Sequence, residues 1–220
     1  MAAAAFYDLE GTLVGTNLVH ALYFYAKRQQ GLVRTALKTA ATVASIPIFK
    51  AADIYSRRTF NDMFFARYEG ESEDRLRFFS EQFCEEVLKP AIRPGALALL
   101  ETSRARGLRQ VIVTGALDVS IRPLLEYLNI EDYAANRLEF VGGIATGRVL
   151  PPVMAAATKA SWMRSFAERE GLDLNSSFAY SDSMSDLPML SVVGHPAAVN
   201  PDSRLRQTAL QHDWPILDLT

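Results

Sequence analysis

The chain has 220 residues, 49% of them hydrophobic and 22% charged, with a formal net charge of −2. That length suits one large domain or a domain carrying an insertion, and the composition excludes wholesale disorder. Lys and Arg are scattered, or lie in short pairs such as Lys27-Arg28 and Arg57-Arg58, so no electrostatic footprint for nucleic acid is present.

The N-terminal Met-Ala-Ala-Ala-Ala-Phe has neither a basic n-region nor a long apolar h-region, so no signal peptide is expected. Ala3 to Tyr7 is a short apolar run that stops at Asp8-Leu9-Glu10-Gly11-Thr12, the pattern of a buried parallel strand opening into a loop. Residues 17–30, 32–46, 53–68 and 72–89 carry helical apolar spacing, punctuated by Gly31, Pro47 and Gly70. Within them Thr39 to Phe49 is the least polar stretch, and it is shorter than the about 20 residues a bilayer span needs. The single cysteine, Cys84, falls in a helical pattern as a core or half-buried thiol. With no second cysteine there is no internal disulfide and no cysteine-based zinc site, which fits a reducing, cytoplasmic setting.

After Pro90 and Pro94-Gly95, helix and strand alternate. Helices are expected at 95–106, 118–128, 158–170 and 187–192, with a short one from Pro201 onward. Strands are expected at 109–113, 177–180 and 196–199, with a hairpin between 138 and 149 around Gly142-Gly143 and Gly147. This alternation predicts an α/β fold: a Rossmann-like doubly wound parallel sheet with an inserted helical unit after the first strand. The core then comprises residues 1–15 and 90–220, and the helical insertion 16–89. Ligands of such sheets bind beyond the carboxyl ends of the strands, where Asp8, Glu10, Thr114, Asp182 and Asp186 would converge.

Four short segments carry chemistry. In Asp8-Leu9-Glu10-Gly11-Thr12-Leu13 two carboxylates leave a strand end on one side, one placed to attack phosphorus and one to move a proton; an acidic turn is the plainer reading. In Ser181-Asp182-Ser183-Met184-Ser185-Asp186 two aspartates beside hydroxyls suit a hard cation, or equally a helix N-cap with a first-turn carboxylate. Val113-Thr114-Gly115-Ala116 offers a hydroxyl and N–H groups before a helix, suited to a phosphate oxygen. Lys159 opens a helix, and is a surface lysine unless it faces the other three.

In this order and spacing, the four segments resemble the haloacid dehalogenase (HAD) superfamily. Its pattern is Asp-x-Asp-Gly-Thr, then Ser or Thr after an apolar strand, then Lys, then Asp-x-x-x-Asp. The nearest likeness is to its phosphoserine-phosphatase-like subgroup, whose helical cap follows the first motif. Tyr180 to Asn200 looks much like uncharacterised hydrolases of that subgroup. The resemblance implies a magnesium-dependent phosphatase acting on a small-molecule phosphate ester through an aspartyl-phosphate. It implies that Asp8 is the nucleophile and that Asp8, Asp182 and the Glu10 carbonyl ligate Mg²⁺, with Asp186 a ligand through water or a partner of those ligands. It also implies that Thr114, the Gly115 N–H and Lys159 bind the phosphoryl oxygens.

Glu10 stands where the family's phosphatases carry Asp, lengthening the proton-transferring arm by one C–C bond, about 1.5 Å. A weakened HAD-like domain that binds a phosphorylated ligand or a partner protein is therefore one alternative, and a phosphotransferase of the same superfamily another. Ser181 and Ser185 replace the usual Gly and Asn. For substrate selection the corresponding positions are Asn17, where the phosphoserine enzymes carry Glu, with Arg57 or Arg58 for a carboxylate and His20 facing the site from the first cap helix. The aromatics Tyr23, Phe24 and Tyr25 and the apolar stretch Val43 to Phe49 are ordinarily helix-packing core. As a cavity wall they would suit a lipid-like phosphate ester.

Overall fold

The computed structural model describes the backbone of residues 2–29, 31–55 and 57–220, and the side chains of those residues except 34 and 50–59. Seven strands form one sheet: β1 (Ala4–Tyr7), β2 (Arg109–Leu117), β3 (Asp132–Val141), β4 (Ile144–Leu150), β5 (Phe178–Ser181), β6 (His195–Val199) and β7 (Ile216–Leu217). Their spatial order is β4-β3-β2-β1-β5-β6-β7. Every neighbouring pair is parallel except β3–β4, which is antiparallel. The central strand is buried along its whole length, as expected of a parallel strand covered on both faces. Alternation divides its side chains: Ala5 and Tyr7 join one core, Ala4 and Phe6 the other. The chain is thus a doubly wound α/β protein.

Nine α-helices are described. Four follow β1: α1 (Leu18–Ala26), α2 (Leu32–Tyr55), α3 (Arg57–Phe65) and α4 (Glu73–Phe83). Next come α5 (Pro94–Ala105), α6 (Asp118–Tyr127), α7 (Ala157–Glu170), α8 (Leu187–Leu190) and α9 (Ser203–Gln211). Asn17, Ser72 and Asp202 cap α1, α4 and α9 with side-chain oxygens that accept backbone N–H bonds, and Gly171 ends α7 in the left-handed region at φ 66°.

Several boundaries differ from the sequence reading. Pro47 does not end a helix: α2 runs through it to Tyr55. An interior proline costs about 3 kcal/mol, a loss that tertiary packing has to offset. Phe49, one turn on, is buried against Phe60 and Phe64, with ring centroids 6.1 and 5.4 Å away. The predicted helix at 72–89 is α only to Phe83; Cys84–Leu88 is a π-helical turn, and Cys84 is buried. Strand β2 extends past Val113 to Leu117 with a register shift. The expected hairpin begins earlier, because β3 first pairs with β2 and then with β4. Strand β7 had no apolar run long enough to announce it.

The helical segment is tied to the sheet by backbone bonds. Gly70 N–H donates to the Ala145 carbonyl (2.9 Å) and Ala145 N–H to the Glu71 carbonyl (2.8 Å). Buried Glu71 also accepts from Gln29 (2.8 Å), Lys38 (2.6 Å) and Arg75 (2.5 Å), joining the end of α1 to α2 and α4. A buried carboxylate needs this many donors to offset its lost hydration.

Candidate active site

The site opens where β1 ends. Asp8 N–H donates to the Tyr180 carbonyl (2.9 Å), which fixes the strand end against β5 and leaves the Asp8 side chain at the carboxyl edge of the sheet. The next turn needs Gly11 for two reasons. Its φ is +82°, and a Cβ there would stand 2.2 Å from Asp182 Oδ2. Arg93 secures the turn from outside, donating Nε and Nη2 to the Gly11 carbonyl at 3.0 and 2.8 Å. Thr12, fully buried, donates its hydroxyl toward Asp182 Oδ1 (3.1 Å) and lies 3.5 Å from Asp8 Oδ2.

Lys159 does face the other motifs. Its side chain is 5% exposed, and its Nζ stands 2.7 Å from both Asp8 Oδ1 and Asp186 Oδ2. Ser181 donates to the same Asp186 oxygen at 2.9 Å. Residues more than 150 positions apart in the chain therefore meet in one cluster: buried Asp8, Asp186 and Lys159, with half-buried Asp182 joined through Thr12. Burial pushes the Asp8 carboxyl up to about 7, with Asp186 and Asp182 adding to the rise and Lys159 opposing it. Burial likewise pushes Asp182 up to about 6, against the hydrogen bond from Thr12. For Lys159 burial disfavours the charge, but Asp186 and Asp8 together hold its pKa above the ordinary lysine value.

Above this cluster lies a cavity of about 820 Å³. Asp8, Glu10, Gly115, Lys159, Asp182 and Asp186 line its floor, and Tyr23, Val43, Ile46, Phe49 and Phe60 form an apolar side. Glu10 also borders a narrower pocket with Leu18, Phe64, Tyr68 and Phe83. The selection candidates divide. Asn17 and His20 do line the cavity, but they also bond to each other's backbone and side chain as a capping box at the start of α1. His20 is exposed. The side chains of Arg57 and Arg58 lie outside the described residues.

Thr114 is fully buried and is not among the residues lining the cavity; its hydroxyl accepts the Ala116 N–H at 3.1 Å and so shapes the irregular end of β2 that presents Gly115. Sequence reasoning missed Asn136. Buried in β3, it donates to the Gly115 carbonyl (2.7 Å) and accepts from Met154 N–H (2.8 Å), clasping the end of β2 to the segment that leads into Lys159. Arg93 was missed too. Neither lies in a motif, and their partners are 21 and 82 positions away.

The donor set suits a hard divalent cation. Among the described residues no three His, Cys, Asp or Glu side chains by themselves form a closed metal cage. Yet Asp8 and Asp182 share the Thr12 hydroxyl, and the Cβ-less Gly11 admits Asp182 close to the turn. Three ionised carboxylates against one ammonium leave a net charge of −2 in a buried place, where a cation with oxygen ligands and water is favoured.

The acidic, lysine-bearing cluster thus stands at the carboxyl edge of a doubly wound α/β sheet, the edge at which such folds bind their ligands. The profile of the haloacid dehalogenase-like hydrolases matches residues 5–191, and the chain belongs to that family. It is similar to a protein named phosphoserine phosphatase SerB1 from Mycobacterium tuberculosis, with 32% identity over 219 residues, 99% of this chain and 71% of that one. A protein named histidinol-phosphatase from Neisseria meningitidis is 28% identical, with 97% of each chain covered. In structure, a Bordetella pertussis protein of unknown function superposes with a TM-score of 0.87 at 22% identity, covering both chains completely. The chain is thus an enzyme of the HAD family, akin to its phosphatases.

Proposed function

We propose that the chain hydrolyses a phosphomonoester, with Mg²⁺, through an aspartyl-phosphate on Asp8, and that residues 16–89 act as a cap over the site formed by 1–15 and 90–220. The observation that carries this reading is the Asp8–Lys159–Asp186 cluster at the floor of the cavity. One Asp8 oxygen attacks phosphorus as the bond from phosphorus to the ester oxygen breaks. Glu10, on the same floor, gives its proton to the departing alkoxide. Water then attacks phosphorus, Glu10 takes up the water's proton, and inorganic phosphate leaves with Asp8 restored.

Lys159 favours the ionised form of Asp8 and offsets the charge of the incoming phosphoryl oxygens, and Gly115, which lines the cavity from β2 with Thr114 buried behind it, supplies a backbone N–H donor. Asp8, Asp182 and the Glu10 carbonyl would hold Mg²⁺, with Asp186 behind them through water or through those ligands. The ion supplies Lewis-acid charge neutralisation at the phosphoryl group.

Hydrolysis of a generic aryl phosphate tests the reading. Turnover is expected with Mg²⁺ and is lost in EDTA. Because Glu10 reaches the leaving oxygen with a longer arm than the family's Asp, Glu10→Gln should lose about 100-fold or more in kcat, and Glu10→Asp should retain activity. Glu10→Gln turning over like the parent would remove Glu10 from proton transfer.

A second expectation concerns pH. The Asp8 and Asp182 carboxyls are raised to about 7 and about 6, so between those values and the ordinary carboxylate range the folded protein binds more protons than the unfolded chain. The stability this gives is complete in acid and is lost as pH rises through the raised values. Metal-free protein should therefore melt at a lower temperature at pH 8 than at pH 5. Added Mg²⁺ should raise the melting temperature more at pH 8, where both carboxylates are ionised. Equal Mg²⁺ stabilisation at the two pH values would count against Asp8 and Asp182 as ligands.

A further inference from the structure

The outer face of α2 is apolar without exception among the described side chains. Leu32 is 90% exposed, Val33 75%, Leu37 66%, Ile48 52% and Val43 49%; the other exposed positions up to Phe49 are alanines and Pro47. Among the described side chains of the same helix, none of the polar ones is fully exposed. Thr42 and Ser45 are buried and donate to the carbonyls of Lys38 and Ala41, one turn back, while Lys38 reaches Glu71. The amphipathic order is thus reversed from that of a helix whose outer side meets water. Exposed apolar surface of this extent marks a place of contact.

Two observations say what covers it. The first is continuity with the site: Val43 and Tyr23, both exposed, also line the cavity whose floor is Asp8, and Ile46, Phe49 and Phe60 extend its apolar side. The outer face of α2 thus meets the cavity at Val43. Among the described lining residues the only lysine or arginine is Lys159, already held by Asp8 and Asp186. A small zwitterionic ester such as phosphoserine would leave its carboxylate without a cationic partner among these residues. The second is charge. From Gly11 to Ala52 the sequence has five basic residues, Lys27, Arg28, Arg34, Lys38 and Lys50, and no acidic one before Asp53; Arg28 and Lys38 are paired with Glu86 and Glu71. No carboxylate on that stretch repels an anionic surface, whereas a second copy of the chain would bring the same basic stretch against it. No described helix is long and apolar enough to cross a bilayer, so α2 would lie in the interface rather than span it.

We propose that the outer face of α2 rests on an anionic lipid membrane, and that the substrate is a phosphomonoester lipid whose chain passes Tyr23, Val43 and Ile46 to bring its phosphate to Asp8. The substrate half of this inference rests on the phosphatase reading; the docking half does not.

The test uses the full chain with phosphatidylcholine vesicles, alone or containing phosphatidylglycerol, and with phosphatidic acid added as the reporter ester. The variant Val33→Glu/Leu37→Glu alters the exposed face one turn apart, away from the site, and aryl phosphate turnover reports that it is folded. The parent should co-sediment with the anionic vesicles and release phosphate from phosphatidic acid. The variant should lose both by about tenfold or more and keep its aryl phosphate turnover. A parent that stays in the supernatant at every composition overturns the docking. Self-association seen by light scattering, abolished in the variant and without vesicle binding, overturns it in favour of a second copy. Vesicle binding and aryl phosphate turnover without release from phosphatidic acid overturns the lipid substrate. Vesicle binding with no turnover of either ester leaves the docking standing and sinks the phosphatase reading instead.

Discussion

Lys159→Ala is expected to destabilise the protein by about 3–5 kcal/mol and to abolish turnover. The side chain is 5% exposed, and its Nζ is within 2.7 Å of carboxylates that are themselves 9% and 5% exposed. Removing it leaves Asp8 and Asp186 buried without their cation, and buried charge without a partner is among the costliest single changes a protein can suffer. The loss should deepen with pH, because the orphaned carboxyls escape part of the penalty by staying protonated in acid. Lys159→Met restores much of the volume and none of the charge, so it should be destabilised nearly as much. Chemical denaturation of the three proteins at pH 5 and pH 8 measures this. A variant within 1 kcal/mol of the parent would mean that the ion pairs are not formed in solution.

Asp8→Asn should separate chemistry from stability. The amide keeps the shape of the carboxyl but cannot act as the nucleophile, and knock-outs of a covalent nucleophile cost on the order of 10⁴- to 10⁶-fold in kcat. Folding should not suffer in the same way. Asp8 is buried with its pKa raised to about 7, so its ionised form is held at a cost that the neutral amide avoids, while Lys159 keeps Asp186. Metal-free Asp8→Asn should melt no lower than the parent at pH 8. Substantial residual turnover in this variant would move the nucleophile elsewhere.

Much of the site was legible because its residues end apolar runs. Asp8 after Ala3–Tyr7 and Asp182 after Phe178–Ser181 stand where parallel strands release the chain at one edge, so strand order alone brought them together. Lys159 was legible only through the order of the motifs, since nothing local distinguishes it from a surface lysine. Asn136 and Arg93 were not legible. Each acts through a main-chain carbonyl on a distant loop, and such a bond leaves no pattern in composition or periodicity. Pro47 misled because its local cost, about 3 kcal/mol, is one that tertiary packing such as that of Phe49 against Phe60 and Phe64 can offset. The apolar stretch of α2 was visible as composition. Its outward direction was not, since helical spacing gives a face without saying which side meets the rest of the protein.

The most direct test of the central claim is to trap the intermediate. The protein is mixed with Mg²⁺ and excess aryl phosphate, quenched in acid within the first turnovers, and digested for peptide mass spectrometry. A phosphoryl group on the carboxylate of Asp8, absent in EDTA and absent in Asp8→Asn, is the predicted result. Turnover under the same conditions that places the phosphoryl group on another residue would contradict it.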